Sequence, residues 1–133
     1  MLRFLAPLVP VAAFLLLSSV ADAQKSTERY IPIGQSPGLS GKYTVIGRVA
    51  EIDMKTRTMT ITGQSRTWTT KLGDRTQIWL DCSAFQHPNG RGTLDDCKPG
   101  LLCEIKYEGR GPDTITCEWI KVQPASVDGT PRR

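Results

Sequence analysis

The strongest constraint in this sequence is that no helical period of useful length occurs between residues 42 and 122. The chain there consists of short runs rich in β-branched and aromatic residues, and turn residues separate the runs. In "TMTITG", Met59 and Ile61 alternate with threonines, which places both on the inner face of a strand. The six runs cover residues 42–53, 58–63, 66–72, 76–80, 101–107 and 114–122. They predict an all-β domain, and closure into a five- to six-stranded barrel would remove its exposed edges.

Two glycines, one inside a run and one directly after a run, predict changes in chain direction. Gly47 lies inside the first run and predicts a bulge or a sharp bend in that strand. Gly73 and Asp74 follow the third run and predict a turn between it and the fourth.

The first 23 residues have the form of a secretory signal peptide. Arg3 is followed by an apolar run over Phe4–Val20, and Ala21 and Ala23 are small residues at the positions that signal peptidase reads. We expect cleavage before Gln24, a periplasmic or secreted product, and no membrane anchor afterwards. The rest of the chain divides into an extended leader (24–40), a barrel domain (41–122) and a flexible tail (123–133).

Four cysteines in a short exported chain predict disulfide bonds. Four cysteines allow three pairings, and spacing only ranks them. We favour Cys82–Cys97, which would close the loop between the fourth and fifth runs, and Cys103–Cys117, which would link the last two strands. No CxxC pair occurs, so the spacing indicates neither a zinc knuckle nor a thioredoxin-like site.

The loop over residues 81–97 also holds side chains that could be drawn as a hydrolytic set. Ser83, His87 and either Asp95 or Asp96 lie within it. However, "HPNG" is strong turn chemistry, so we interpret His87 as a loop residue and the two aspartates as solvated. We therefore predict no catalytic residues, no enzyme activity and no cofactor.

An outward-facing aromatic side chain with nearby cations is the main candidate for a binding surface. Trp79 faces outward if its two neighbours face the core. The cations near it in sequence are Lys71, Arg75 and Arg66. The net charge of +4 is small and scattered, and an exported protein rarely meets nucleic acid, so a nucleic-acid partner is not favoured.

The segments "IGRVAEIDMKTRTMTIT", "KPGLLCEIKYEG" and "TITCEWIKV" resemble a recurring pattern of exported bacterial proteins. The pattern is similar to small OB-type barrels of unknown function, and its characterised cousins are periplasmic copper chaperones of metal efflux systems. The resemblance covers Gly47 to Val122 and implies an OB-type barrel. In those chaperones two methionines one residue apart, a histidine and a tryptophan hold Cu(I). This chain offers Met59 and His87 but no Met-x-Met, so the ligand set is incomplete.

The sequence thus predicts an exported β-barrel module that binds an unknown protein or small-molecule ligand. Periplasmic copper handling is the alternative. Binding of single-stranded nucleic acid or an oligosaccharide by an OB-type face is the third option.

Overall fold

The computed structural model describes residues 27–108 and 114–127. The predicted signal peptide, the first residues of the leader and the end of the predicted tail lie outside these ranges. Among the described residues, no helix is long and apolar enough to cross a membrane.

Six β-strands form one sheet in the described part of the chain. They are β1 (Thr44–Asp53), β2 (Thr58–Thr62), β3 (Thr67–Leu80), β4 (Gly90–Arg91), β5 (Leu102–Glu108) and β6 (Thr114–Val122). Two single-turn 3-10 helices, Ser83–Phe85 and Leu94–Asp96, lie in the loop that joins β3 to β5. The prediction of an all-β fold is confirmed.

The sheet closes on itself. Its strand order is β2-β1-β5-β6-β3-β4, and β2 also pairs with β3. Five strands therefore form a closed barrel, while the two-residue β4 pairs only with the end of β3. Neighbouring strands are antiparallel except β3 and β6, which are parallel. A closed five-stranded barrel is the architecture that was predicted as OB-type.

One predicted turn is wrong. The third and fourth runs are not separate strands, because β3 continues through Gly73 and Asp74 to Leu80. The turn residues instead produce an irregularity, at which the pairing of β3 with β6 shifts between Leu72 and Gln77. A bulge of this kind lets one long strand bend around a small barrel without ending.

Gly47 lies where β1 passes closest to β2. A Cβ atom at this position would lie 2.4 Å from the carbonyl oxygen of Thr62. The register of β1 against β2 shifts soon afterwards, between Val49 and Glu51. The expected bend is therefore present, and only glycine fits this close approach of two backbones.

The barrel interior is filled by the alternating apolar residues. Met59 and Ile61 are both fully buried inside it, as the alternation predicted. The buried core cluster also includes residues from every other barrel strand and one from the loop: Val49, Leu72, Cys97, Cys103, Ile105, Cys117, Ile120 and Val122.

The leader covers the outer face of β3, β5 and β6. The backbone N–H of Ile33 donates to Asp81 Oδ2 at 2.9 Å, and that of Gly34 donates to Glu104 Oε1 at 3.0 Å. The hydroxyl of Ser40 donates to Glu104 Oε2 at 2.6 Å. Glu104 is fully buried, so the leader replaces the water that would otherwise solvate this carboxylate.

A buried lysine holds the beginning of the leader. Lys121 points outward from β6, yet it is 0% exposed. Its Nζ lies 2.8 Å from Glu28 Oε1 and 4.7 Å from the centre of the Trp119 ring. The leader is thus bound to the barrel by an ion pair in addition to the hydrogen bonds of its middle part.

Candidate ligand-binding end of the barrel

Trp79 does not lie on an open surface. It points outward from the barrel, opposite Lys121 on β6, as its neighbours suggested. However, it is only 5% exposed, and its ring packs against that of Trp119 with 5.4 Å between the centroids. The expectation of an open aromatic surface at this residue is corrected, because the outer face of these strands is covered.

The three predicted cations are all exposed, and they occupy different places. Lys71 lies on β3 opposite Thr58 of β2. Arg75 lies in the irregular segment of β3, and Arg66 lies just before the beginning of β3. Arg66 contacts an aromatic side chain, and that side chain is Trp68 rather than Trp79.

Trp68 belongs to a stack of side chains at one end of the barrel. Its ring lies 6.0 Å from that of Tyr107, with an angle of 25° between the ring planes. The guanidinium carbon of Arg66 lies 3.8 Å from the centroid of the Trp68 ring. Both aromatic residues are half-buried, whereas Arg66 is exposed and reaches the stack from the solvent side.

Strand register brings a second tyrosine to the same end. Thr44 pairs with Lys106, so Tyr43 before it and Tyr107 after Lys106 lie at the same end of the barrel. Tyr43 is 53% exposed, and the Lys42 ammonium lies 5.4 Å from its ring centre. We call Tyr43, Arg66, Trp68 and Tyr107 the basic–aromatic end.

The neighbouring threonine hydroxyls lie on the outer face of the barrel. Thr62 and Thr67 pair across β2 and β3 and are exposed, and alternation turns them away from the inward Ile61 and Trp68. The rings of the basic–aromatic end and the cations over them therefore provide the surface for stacking and for hydrogen bonds.

Strand alternation in the sequence places Trp68 on the same face as Leu72, and Tyr107 on the same face as Cys103 and Ile105. The faces were assigned correctly, since Trp68 lies opposite Ile61, and Tyr107 lies opposite Cys117. The signal that was missed is position along the strand. An inward aromatic residue within a residue or two of a strand end lies at the opening of a barrel, where part of its ring stays accessible.

The four cysteines are all buried, and the structure contains no disulfide among them. The favoured pairs also conflict with the geometry. Cys103 lies opposite Val122, and Cys117 lies opposite Tyr107, so the last two cysteines do not face each other across the hairpin. The predicted register was wrong by five residues, since Cys103 pairs with Val122 rather than with Cys117, and the one-residue shift between Lys106 and Tyr107 accounts for only one of the five.

The two cysteines of the other favoured pair, Cys82 and Cys97, lie in different environments. Cys97 belongs to the barrel core, whereas Cys82 is not among the residues of that core cluster. Cys82 directly follows Asp81, the outward carboxylate that holds the leader. Its backbone N–H donates to Asn89 Oδ1 at 2.8 Å.

Burial makes the core thiols weak acids. It raises the pKa of Cys97 to about 12, and the nearby Asp96 carboxylate acts in the same direction. Burial also raises the pKa of Cys103 to about 12, followed by the effect of Cys97. The pKa of Cys117 is raised for the same first reason. These thiols are therefore protonated and unreactive in the folded protein.

The two candidate copper ligands lie in different parts of the structure. Met59 is fully buried in the barrel core. His87 is half-buried in the loop after β3, where its backbone N–H donates to the carbonyl oxygen of Cys82. Within the described ranges, no group of three histidine, cysteine or acidic side chains is placed to hold a metal ion.

The loop residues considered for catalysis have structural partners. The hydroxyl of Ser83 donates to Asp81 Oδ1 at 2.6 Å, so a carboxylate engages it. Asp96 is not simply solvated, because it accepts a 2.7 Å hydrogen bond from the backbone N–H of Thr93 and caps the second 3-10 helix. Asp95 is exposed.

Comparison with known proteins gives similarity in structure only. No family model matches the chain, and no curated protein sequence matches it. CusF with Ag(I) is similar at 16% identity and a TM-score of 0.43, covering 60% of this chain and 95% of that one. A tryptophan-to-alanine variant of Escherichia coli CusF with Cu(II) is similar at 16% identity and a TM-score of 0.44, covering 61% and 90%. The suspected resemblance to this group of barrels thus stands as a weak likeness, and TM-scores this low transfer neither a ligand nor a role.

Proposed function

We propose that this protein is an exported binding module that holds an oligosaccharide at its basic–aromatic end. The observation that carries this function is the stack of Arg66, Trp68 and Tyr107, which is half-buried and open to solvent at one end of a closed barrel. Elsewhere in the described part of the chain, the other two tryptophans are buried against each other.

The chemistry of this end suits a sugar chain. Aromatic rings stack against the apolar faces of sugar rings, and Arg66 can donate several hydrogen bonds from one planar group. The phenol hydroxyl of the exposed Tyr43 can both donate to and accept from sugar hydroxyls. A single-stranded nucleic acid would use the same rings, but the predicted export makes a glycan the better candidate.

Export itself rests on the sequence of residues 1–23. Mass analysis of protein recovered from the cell envelope should show a chain that begins at Gln24. Retention of the first 23 residues on a membrane-bound form would contradict export.

Two exposed tyrosines provide a matched test of the binding site. Tyr43 lies at the basic–aromatic end and is 53% exposed, whereas Tyr30 lies in the leader and is 55% exposed. We expect Tyr43→Ala to weaken glycan binding by about 1–3 kcal/mol, the usual value of an aromatic stack, and Tyr30→Ala to leave it unchanged. Trp68→Leu should weaken binding at least as much as Tyr43→Ala.

The measurement is a titration of the full mature chain with neutral and acidic oligosaccharides, followed by tryptophan fluorescence and calorimetry. Equal affinities for the Tyr43 and Tyr30 variants would contradict this location of the site. If a single-stranded oligonucleotide binds and no glycan does, the proposed ligand is wrong, whereas the proposed binding surface is still supported. A tight Cu(I) site that is lost in Met59→Ala or His87→Ala would instead support metal handling.

A further inference from the structure

A tight turn brings Cys97 back toward the beginning of β5. The carbonyl oxygen of Lys98 accepts a 3.3 Å hydrogen bond from the backbone N–H of Leu101. Pro99 and Gly100 occupy the middle of this turn, and Gly100 has a φ of 89°. Proline followed by a glycine of positive φ is the sequence of a type II turn, which reverses the chain within four residues. Cys97 before the turn and β5 after it therefore run side by side.

The turn is fixed to β1 on both sides of Val49. The N–H of Gly100 donates to the Val49 carbonyl oxygen at 2.7 Å, and the N–H of Val49 donates to the Leu101 carbonyl oxygen at 3.0 Å. Val49 points into the barrel and belongs to its core. These two hydrogen bonds hold the loop end that carries Cys97 against β1 beside Val49.

Cys97 and Cys103 both lie in the barrel core. They are 2% and 0% exposed and belong to the same buried cluster. Cys103 pairs with Gly47 of β1. Because glycine has no side chain, β1 places no group between Cys103 and the other core residues at this position. The charge of Cys97 contributes to the raised pKa of both Cys103 and Cys117, so the choice of Cys103 rests on the turn that leads from Cys97 into β5.

The pairing of Cys103 with Cys117 is excluded by distance along β5. Cys117 is paired with Tyr107, four residues beyond Cys103. At about 3.3 Å per residue this offset is roughly 13 Å, whereas the Cα atoms of a disulfide lie about 4.4–6.8 Å apart. Cys82 is not among the residues of the core cluster.

We propose that Cys97 and Cys103 are the site of one intramolecular disulfide, which forms while the exported chain folds and fastens the loop over residues 81–101 to the barrel. The structure holds both residues as thiols. One thiolate attacks a sulfur of an external disulfide, such as that of an oxidised dithiol protein, and a thiolate leaves. The second cysteine thiolate then attacks the mixed disulfide. Two protons and two electrons leave the pair, and the external disulfide becomes two thiols.

The burial of the two thiols indicates when the disulfide forms. Exchange needs a thiolate, and a rise in pKa from 9.0 to about 12 lowers the thiolate fraction about a thousandfold. The bond therefore forms before the core closes, and the folded dithiol reacts slowly.

Trypsin digestion offers a direct test on the natural chain. Trypsin cleaves after Arg91 and Lys106 but not between Lys98 and Pro99, so residues 92–106 form one peptide with both cysteines. In protein from the cell envelope, alkylated under denaturing conditions without reductant, this peptide should carry no alkyl group. Its mass should lie about 2 Da below that of the reduced peptide, because two hydrogen atoms are lost. Two alkyl groups on this peptide, or its linkage to a peptide containing Cys82 or Cys117, would overturn the assignment.

Two controls separate the bond from general effects of mutation. Reductant should lower the denaturation midpoint of the natural chain and have no effect on Cys97→Ser or Cys103→Ser, while Cys82→Ser should respond as the natural chain does. Oxidised glutathione added during refolding should form the bond much faster than when it is added to the folded dithiol. Equal rates would overturn formation during folding. The peptide map needs no variant and no sugar ligand, so its result is independent of the binding function.

Discussion

Loss of the Glu28 carboxylate should release the leader from the barrel. Lys121 Nζ is 2.8 Å from Glu28 Oε1, and the lysine side chain is only 1% exposed. In Glu28→Gln the ammonium would remain buried without a counter-charge, and its partners would be neutral: the amide oxygen of the new side chain, the Ser36 hydroxyl at 3.4 Å and the Trp119 ring. An unpaired buried charge costs about 3–5 kcal/mol.

The leader can avoid part of this cost by detaching, which would return Lys121 to water. We therefore expect Glu28→Gln to lower the free energy of unfolding by about 3 kcal/mol, or less if detachment is easier. In either case the backbone amides of Ile33 and Gly34, which donate to Asp81 and Glu104, should lose protection from hydrogen exchange. Denaturant melts and exchange measured by mass spectrometry give the two readouts.

An exposed ion pair provides the control. Arg57 and Asp74 lie 3.7 Å apart, with side chains 54% and 98% exposed. Arg57→Ala should change stability by no more than about 1 kcal/mol and leave the leader amides protected. The double variant Glu28→Gln/Lys121→Met should be more stable than Glu28→Gln alone, since the buried ammonium that lost its counter-charge is then absent. A Glu28→Gln protein within about 0.5 kcal/mol of the natural chain, with both amides protected, would refute the reasoning.

Three further outcomes follow from the barrel interior. Burial raises the pKa of Cys97 and Cys103 from 9.0 to about 12, so the reduced protein should keep its stability below pH 9 and lose it between pH 9 and about 12. Denaturant midpoints measured against pH should fall less steeply for Cys103→Ala, and an unchanged slope would argue against this origin. Gly47→Ala should cost about 3 kcal/mol in thermal or denaturant melts, because its Cβ would lie 2.4 Å from a carbonyl oxygen of β2, and a neutral result would contradict that close contact. Met59→Ala should cost about 2–5 kcal/mol and the exposed Met54→Ala no more than about 0.5 kcal/mol, so similar midpoints for the two would place Met59 outside the core.

The strand alternation in the sequence determined the class of fold and the inner face of the barrel. Met59 and Ile61 were assigned inward, and they are buried, because a strand turns successive side chains to opposite faces. The bend at Gly47 was also predictable, since a glycine inside a strand marks a close approach of backbones. Such features depend on a few neighbouring residues.

Strand register and the cover of the outer face were decided by the tertiary structure. The register of β5 against β6 separates Cys103 from Cys117, and no local pattern showed it. The leader has no period that would reveal a contact, yet it buries Lys121 and Glu104 through partners 93 and 64–70 residues away in the chain.

Predicting the candidate site requires both the strand alternation in the sequence and the tertiary structure. Alternation placed Trp68 and Tyr107 on the inner face, but only closure of the barrel brought their rings within 6.0 Å, although they are 39 positions apart in the sequence. Trp79, which the sequence offered as the exposed aromatic residue, is covered because a distant segment packs near it. Strand alternation determines which face of the sheet a side chain lies on. The exposure of that side chain depends on which other segment of the chain covers that face.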